Sequence, residues 1–238
     1  LQQMASESNN MDAVRLEKAP RIAVYSPKSA QPWDDAVTLV LTYAEIPYEV
    51  VYDAEVLDGK LEGYDWLHLH HEDFTGQYGK FYANFSGQAW YREQVAENEA
   101  LARQYGLGKV SRLKLAVAQR IRAFCEAGGF LFAMCSATDS YDIALAAHAT
   151  DICADIYDGD PAAPGAQAHL DFSQTLAFEN FRLVEDPLEY EYSDIDVTTT
   201  RPIPVPEALD AFQLFQFSAK WDPVPTMLCQ NHTLTVKG

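Results

Sequence analysis

The run Gly128, Gly129, Phe130, Leu131, Phe132, Ala133, Met134, Cys135, Ser136, Ala137, Thr138, Asp139, Ser140 brings together the residue types best suited to chemistry in this chain. A helix-ending glycine pair leads into an apolar strand, then a cysteine, then a helix start. At such a strand-to-helix turn a side chain projects above the sheet edge. The first amides of the next helix then lie close enough to receive an oxyanion or to lower a thiol pKa. Cys135 is therefore the candidate nucleophile, the amides of Ser136 and Ala137 are candidate oxyanion donors, and Thr138 and Asp139 are candidate pocket residues. The competing reading is packing, because free cysteine is among the most buried small residues.

His68 and His70 are separated by one residue, so on an extended chain both imidazoles face one side and Leu67 and Leu69 the other. Two such rings could bind zinc, but a catalytic zinc needs three protein ligands and the spacing fixes no third. A hydrogen-bonded polar rim is the favoured reading. His71, Glu72 and Asp73 follow at the end of the same strand, the edge where open α/β sheets bind ligands. Cys135 also follows a strand, so a parallel order brings both segments to one edge. His70 or His71 would then approach the thiol, lower its pKa and act as the general base of an acyl transfer. His148 and His169 read as structural or solvent-exposed. Asp158-Gly159-Asp160 and the carboxylates of 190–196 lack the spacing of a calcium loop and read as turns and solvated surface. Trp221 to Pro225 reads as a packing corner.

A length of 238 residues is enough for a substantial core. The 17 Lys and Arg stand against 35 Asp and Glu, a net charge of −18. Such a surface repels phosphate backbones and anionic membranes, so nucleic acid is excluded as a partner while cations or basic protein surfaces are favoured. Cys125, Cys135, Cys153 and Cys229 show no C-x-x-C pairing, which argues against a thiolate metal knot. No run of about 18 apolar residues offers a membrane span, and residues 1–20 lack a signal-peptide layout. The sequons at Asn84 and Asn231 carry little weight. No cofactor is expected. The expected partner is a small-molecule amide or another protein, and an oligomer is compatible with the sequence.

Positioning these residues requires a sheet. Arg21 to Tyr25 reads as a buried parallel strand, Gln31 to Ala44 as a helix with Pro32 in its first turn, and Pro47 as its stop. Tyr48 to Val56 and Tyr64 to His71 read as the second and third strands. Residues 72–90 form an aromatic, glycine-containing insertion, a candidate lid or pocket wall. Residues 91–105 and 110–127 have helical composition, the latter with an apolar stripe of Leu113, Val117, Ile121 and Phe124. Phe130 to Met134 is a strand and Asp139 to Ala149 a helix. Beyond Thr150 the pattern breaks into short runs. The expected fold is α/β: a flavodoxin-like, mostly parallel sheet with helices on both faces, elaborated by late strands and long loops. Residues 1–20 read as a tail or lead-in helix and 21–238 as one domain.

This order of elements, ending in the Gly-Gly, strand and Cys135 turn, resembles the class I glutamine amidotransferase-like superfamily, including its ThuA-like relatives, over roughly residues 21–150. Gln31 to Ala36, Leu67 to Phe81 and Phe130 to Ser140 resemble more closely a group of bacterial proteins labelled asparagine synthetase B. The resemblance implies a cysteine-dependent amidase or hydrolase, with a catalytically silent binding or assembly subunit as the alternative. It also implies a domain continuing past Gly238, where a further histidine would supply the base. An upstream export signal would make the setting periplasmic; otherwise it is cytoplasmic. The sequence departs from both families. Ala133-Met-Cys-Ser-Ala137 replaces the usual Gly-x-Cys-x-Gly, and no downstream His-x-Glu pair follows. Leu1 is not the N-terminal cysteine of a synthetase, and Cys135-Ser-Ala-Thr-Asp-Ser140 lacks the glycines of its pyrophosphate loop.

Overall fold

Four short strands form one all-parallel sheet in the order β2-β1-β3-β4: β1 is Ile22–Tyr25, β2 Tyr48–Val51, β3 Trp66–Leu69 and β4 Phe130–Ala133. The structure, a computed structural model, describes residues 19–27 and 36–195. The expected lead-in segment before Ala19, the helix opening at Gln31 to Asp35, Asp196, Trp221 to Pro225, Cys229 and the Asn231 sequon lie outside the described residues. The sheet is flavodoxin-like. Registers are aligned across it, with Tyr25 beside both Val51 and Leu69, and Leu69 beside Ala133. Every strand therefore stops at the same level.

The central strand explains itself from composition. Ile22, Ala23, Val24 and Tyr25 are all buried, the continuous apolar run that a strand covered on both faces requires. The direction in which strands are added reverses after β2, so right-handed crossovers place helix α1, Ala36–Tyr43, on one face and the later helices on the other. On that second face Leu67 and Leu69 pack in the main core with Val117, Ala118 and Ile121 of helix α5, Val110–Glu126. Tyr141, Ala144 and Leu145 of helix α6, Ala137–Ala146, complete it. Each fully buried leucine contributes roughly 2 kcal/mol through the apolar surface it withdraws from water.

Two expectations need correction. The second strand ends at Val51 rather than Val56, because residues Asp53–Leu57 form a short helix, α2. Glu55 accepts a hydrogen bond from the Tyr52 amide at 3.1 Å, a capping contact that starts a helix where alternation suggested more strand. After β4, the only β pairing among the described residues is an isolated antiparallel bridge between Leu183 and Ser193. Short helical turns such as α7, Asp155–Asp158, stand in the described part of that region, residues 150–195. The insertion holds two short helical turns, the second being α3, Tyr82–Phe85, before α4, Ala89–Gln104.

The glycine pair before β4 acts as expected. Gly128 has φ 97°, and the Gly129 amide donates to the Phe124 carbonyl at 2.9 Å, closing α5 with a left-handed cap. A Cβ at Gly129 would meet the Phe124 ring at 2.3 Å. Beyond the sheet, Asp142 of α6 holds the irregular chain by accepting the amides of Leu176, Ala177 and Phe178 at 2.8, 2.7 and 2.8 Å. Burial is the largest influence on this carboxyl and raises its pKa, against the pull of those three amides. Asp142→Ala should therefore leave three amides without their acceptor. We expect a loss of about 3 kcal/mol in urea unfolding, with far-ultraviolet circular dichroism little changed.

Candidate functional site

The carboxyl ends of the strands carry Ser26 and Pro27 after β1, Tyr52 and Asp53 after β2, His70 to Asp73 after β3, and Met134 and Cys135 after β4. Strand order reverses direction between β1 and β3, so this edge is the topological switch point where open α/β sheets form a crevice. A cleft is present there in two adjoining lobes that share Pro27, Tyr52, Gln94 and Asn98. The inner lobe reaches His71, Glu72, Asp73 and Lys114. The outer lobe is a cavity of ≈ 220 Å³ between α2 and α4. Cys135 does not line either lobe.

The floor of the inner lobe is a buried charged network not anticipated from the sequence. Lys114 and Asp53, whose side chains are 5% and 0% exposed, pair at 2.7 Å. The Lys114 ammonium also donates to the Tyr52 hydroxyl at 3.1 Å and the Tyr25 hydroxyl at 3.3 Å, while Tyr25 donates to the other oxygen of Asp53. Every ammonium proton has a partner. Burial disfavours the charged lysine, but Asp53 and Tyr52 outweigh it and hold the Lys114 pKa above its ordinary value. Burial and then Asp53 raise Tyr25, so it stays a phenol. Lys114 also lies 4.5 Å from the Tyr52 ring centroid.

The insertion forms a wall of the cleft through Gly76, Tyr78, Gly79 and Phe81. Tyr78, Gly79 and Lys80 have φ of 52°, 72° and 53°, a left-handed turn that costs about 1 kcal/mol or more at each non-glycine residue. Bracing offsets that cost. Asp73 accepts from the Thr75 amide at 2.7 Å, the Thr75 hydroxyl at 2.6 Å and the Gly79 amide at 3.3 Å. Lys80 donates to the carbonyls of Val184, Asp186 and Glu191 at 2.9, 3.1 and 2.8 Å. Burial draws the Lys80 pKa down to about 8 against neighbouring carboxylates, leaving it charged at neutral pH. Gly76 is required by contact as well as by its φ of 86°, since a Cβ there would meet the Ser111 backbone at 2.7 Å.

Cys135 has φ 51°, a left-handed conformation rare for a non-glycine residue, at the turn between β4 and α6. The sulfur is half-buried. Burial pushes the thiol pKa up, the Ser136 amide pulls it down, and the Asp139 and Glu72 carboxylates raise it further. The Ala137 amide donates to Met134 at 3.2 Å, and the Thr138 amide and hydroxyl both donate to the Cys135 carbonyl at 3.0 and 2.6 Å. Asp139 is buried and accepts from the Ser140 amide at 2.9 Å. Two serines one helical turn apart pin the β3 loop to α6: Ser136 donates to the His71 carbonyl at 2.7 Å and Ser140 to the Glu72 carbonyl at 3.1 Å. The Glu72 carboxylate accepts from the His70 amide at 2.9 Å. The elbow and the cleft wall are thus joined through His71 and Glu72, which both line the inner lobe.

The imidazoles of His68, His70 and His71 stay neutral at neutral pH. Burial lowers His70, and burial followed by the charge of His70 lowers His68 and His71 to about 4. The His70 and His71 ring centroids lie 4.5 Å apart, yet no hydrogen bond among the described residues joins either ring to the Cys135 sulfur. His68 stacks on Phe132 at 5.3 Å and lies 6.3 Å from His70. This pair gathers no third ligand atom; the one group of three possible metal-binding side chains among the described residues is Asp151, Cys153 and Asp158. There the Lys109 ammonium already lies 2.6 Å from Asp151 and 3.1 Å from Asp158. The Cys153 thiol donates to the Thr75 carbonyl at 3.3 Å.

A signal for the missed network was present in the sequence. Lys114 falls within the spacing 110, 113, 114, 117, 118, 121, so it occupies a core position of an amphipathic helix. Lys114→Met should destabilise the fold by about 3 to 5 kcal/mol, because Asp53 would keep a buried charge without its counter-ion. Adding Asp53→Asn should recover part of that loss, as measured by urea unfolding of both variants. No protein-family model, curated protein or solved structure matches the chain, so the reading of this edge rests on its geometry.

Proposed function

We propose that Cys135 is the nucleophile of a hydrolase acting on a small amide, with substrate entering from the switch-point cleft. The observation that supports this reading is the left-handed backbone of Cys135 at the strand-to-helix turn. Such a conformation disfavours a side chain by about 1 to 2 kcal/mol, and a glycine would adopt it freely. Strain of this kind clusters where a side chain must be held in one place for chemistry. The class I glutamine amidotransferase-like resemblance points the same way.

In the proposed reaction the Cys135 sulfur attacks the amide carbonyl carbon, and the negative charge of the tetrahedral intermediate falls on the carbonyl oxygen near the α6 amino end. The thiol proton passes to the leaving nitrogen as the C–N bond breaks, releasing ammonia or an amine. Water then cleaves the thioester, yielding a carboxylic acid and the free thiol. His70 or His71 is the proposed proton carrier. An imidazole lowered by burial, to about 4 at His71, facing a thiol raised above its ordinary range holds no resting thiolate–imidazolium pair. Proton transfer must therefore accompany C–S bond formation. A second reading, a binding or assembly subunit without catalysis, is favoured by the absence of a Cys135–imidazole hydrogen bond among the described residues.

Iodoacetamide labelling followed by mass spectrometry, run alongside ammonia release from a panel of small amides, separates the two. Because the thiol pKa is raised, its thiolate fraction at neutral pH is below that of an ordinary cysteine. Alkylation of Cys135 should therefore be slow at pH 7 and accelerate as pH climbs through the alkaline range. Cys135→Ala should reduce ammonia release at least 100-fold. Cys135→Gly should be equally inactive but unfold at a midpoint at or above that of the wild type, because glycine relieves the left-handed strain. Ammonia release that survives Cys135→Ala, or no turnover of any amide by the wild type, would sink the hydrolase reading.

A further inference from the structure

We infer that the outer lobe of the cleft is a binding site for a small organic ammonium ion with an apolar body, independent of whether the thiol reacts. Helix α4 presents Gln94, Glu97, Asn98 and Leu101 to this lobe, positions i, i+3, i+4 and i+7 that share one helical face. Across the cavity stand Tyr52, Ala54 and Glu55.

Asn98 is the anchor. It is only 5% exposed, and its amide nitrogen donates to the Gln94 carbonyl at 2.8 Å. That bond fixes which end of the amide is which, since only the nitrogen can donate. The Asn98 Oδ1 then has no hydrogen-bond partner among the described residues, and neither has Gln94 Oε1. Two acceptors held out of water without donors are costly, which is grounds for expecting a donor between them.

The chemistry of the wall selects that donor. Asn98 and Gln94, whose oxygens lack donors among the described residues, line the lobe together with Glu97 and Glu55. Lys114, which lines the inner lobe, is committed to Asp53, Tyr52 and Tyr25. An alkylammonium group brings three N–H donors, no acceptor and a positive charge. The net charge of −18 favours its approach. Tyr52, Leu101 and Pro27 supply apolar surface for the rest of the molecule. At ≈ 220 Å³ the cavity is smaller than the roughly 300 Å³ at which pockets for drug-sized ligands begin, so the ligand is small.

Isothermal titration of the full chain with phenethylamine and with the uncharged analogue 2-phenylethanol, at neutral pH and low salt, tests this. The amine should bind at least ten-fold tighter than the alcohol and weaken as salt is added. Asn98→Ala should reduce amine affinity about ten-fold. Glu97→Gln, at an exposed position where folding is not at stake, should reduce it about three-fold. Equal binding of amine and alcohol, amine binding indifferent to both substitutions, or no binding at about 10 mM amine would each overturn the inference.

Discussion

The buried pair of Lys114 and Asp53 is the constraint on which the ligand-binding edge depends. One ammonium ties α5 to the ends of β1 and β2 through Tyr25, Tyr52 and Asp53. Taking both charges out of water carries a desolvation penalty of several kcal/mol per ion, which the mutual attraction and the added hydrogen bonds must offset. Such a cluster is poor at adding stability and good at enforcing one geometry, because any displacement strands a charge. Phe74, stacked on Tyr25 at 5.3 Å and edge-on to Tyr141 at 5.5 Å, transmits that geometry toward α6. Position is therefore set from the core outward, and the loops at the edge inherit it.

The elbow and the cleft respond differently to this frame. At the elbow, strain is local: one left-handed residue flanked by Ser136, whose hydroxyl is held by the His71 carbonyl. At the cleft wall it is shared by Tyr78 and Lys80 and opposed by the Asp73 and Lys80 hydrogen bonds. Both segments hold non-glycine residues in a left-handed backbone beyond the carboxyl ends of the strands. Only the elbow does so for a residue with nucleophilic chemistry, which is why it supports the hydrolase reading even with a raised thiol pKa.

The sheet was legible because its signals are short-range and redundant. Ile22 to Tyr25 is apolar throughout, Gly128-Gly129 ends a helix, and the strand before Cys135 has no competing pattern. The second strand was overextended because alternation in 52–56 mimics β structure, whereas Glu55 folding back on the Tyr52 amide makes a helix start. The edge containing His70, His71, Glu72, Asp73 and Cys135 was also legible, since parallel strands end together. What sequence could not supply was long-range pairing. Lys114 and Asp53 lie 61 residues apart, and Lys80 and Glu191 111 apart, so neither bond leaves a local pattern. Lys114 did leave a trace as a charged residue on an apolar stripe, the kind of conflict that marks a buried partner.

These lysines show how so acidic a chain arranges its few cations. Lys114 neutralises Asp53, Lys109 lies among Asp151, Asp158 and Asp160, and Lys80 caps three carbonyls. At each of these places the converging acceptors meet an internal ammonium. Asn98 and Gln94 differ: their oxygens are withdrawn from water without a donor among the described residues, and the two residues line a cavity with Glu97 and Glu55 that is large enough for a small molecule. The chain satisfies the acceptors around Lys114, Lys109 and Lys80 with ammonium groups of its own, so the same chemistry supplied from outside is the simplest complement to this one.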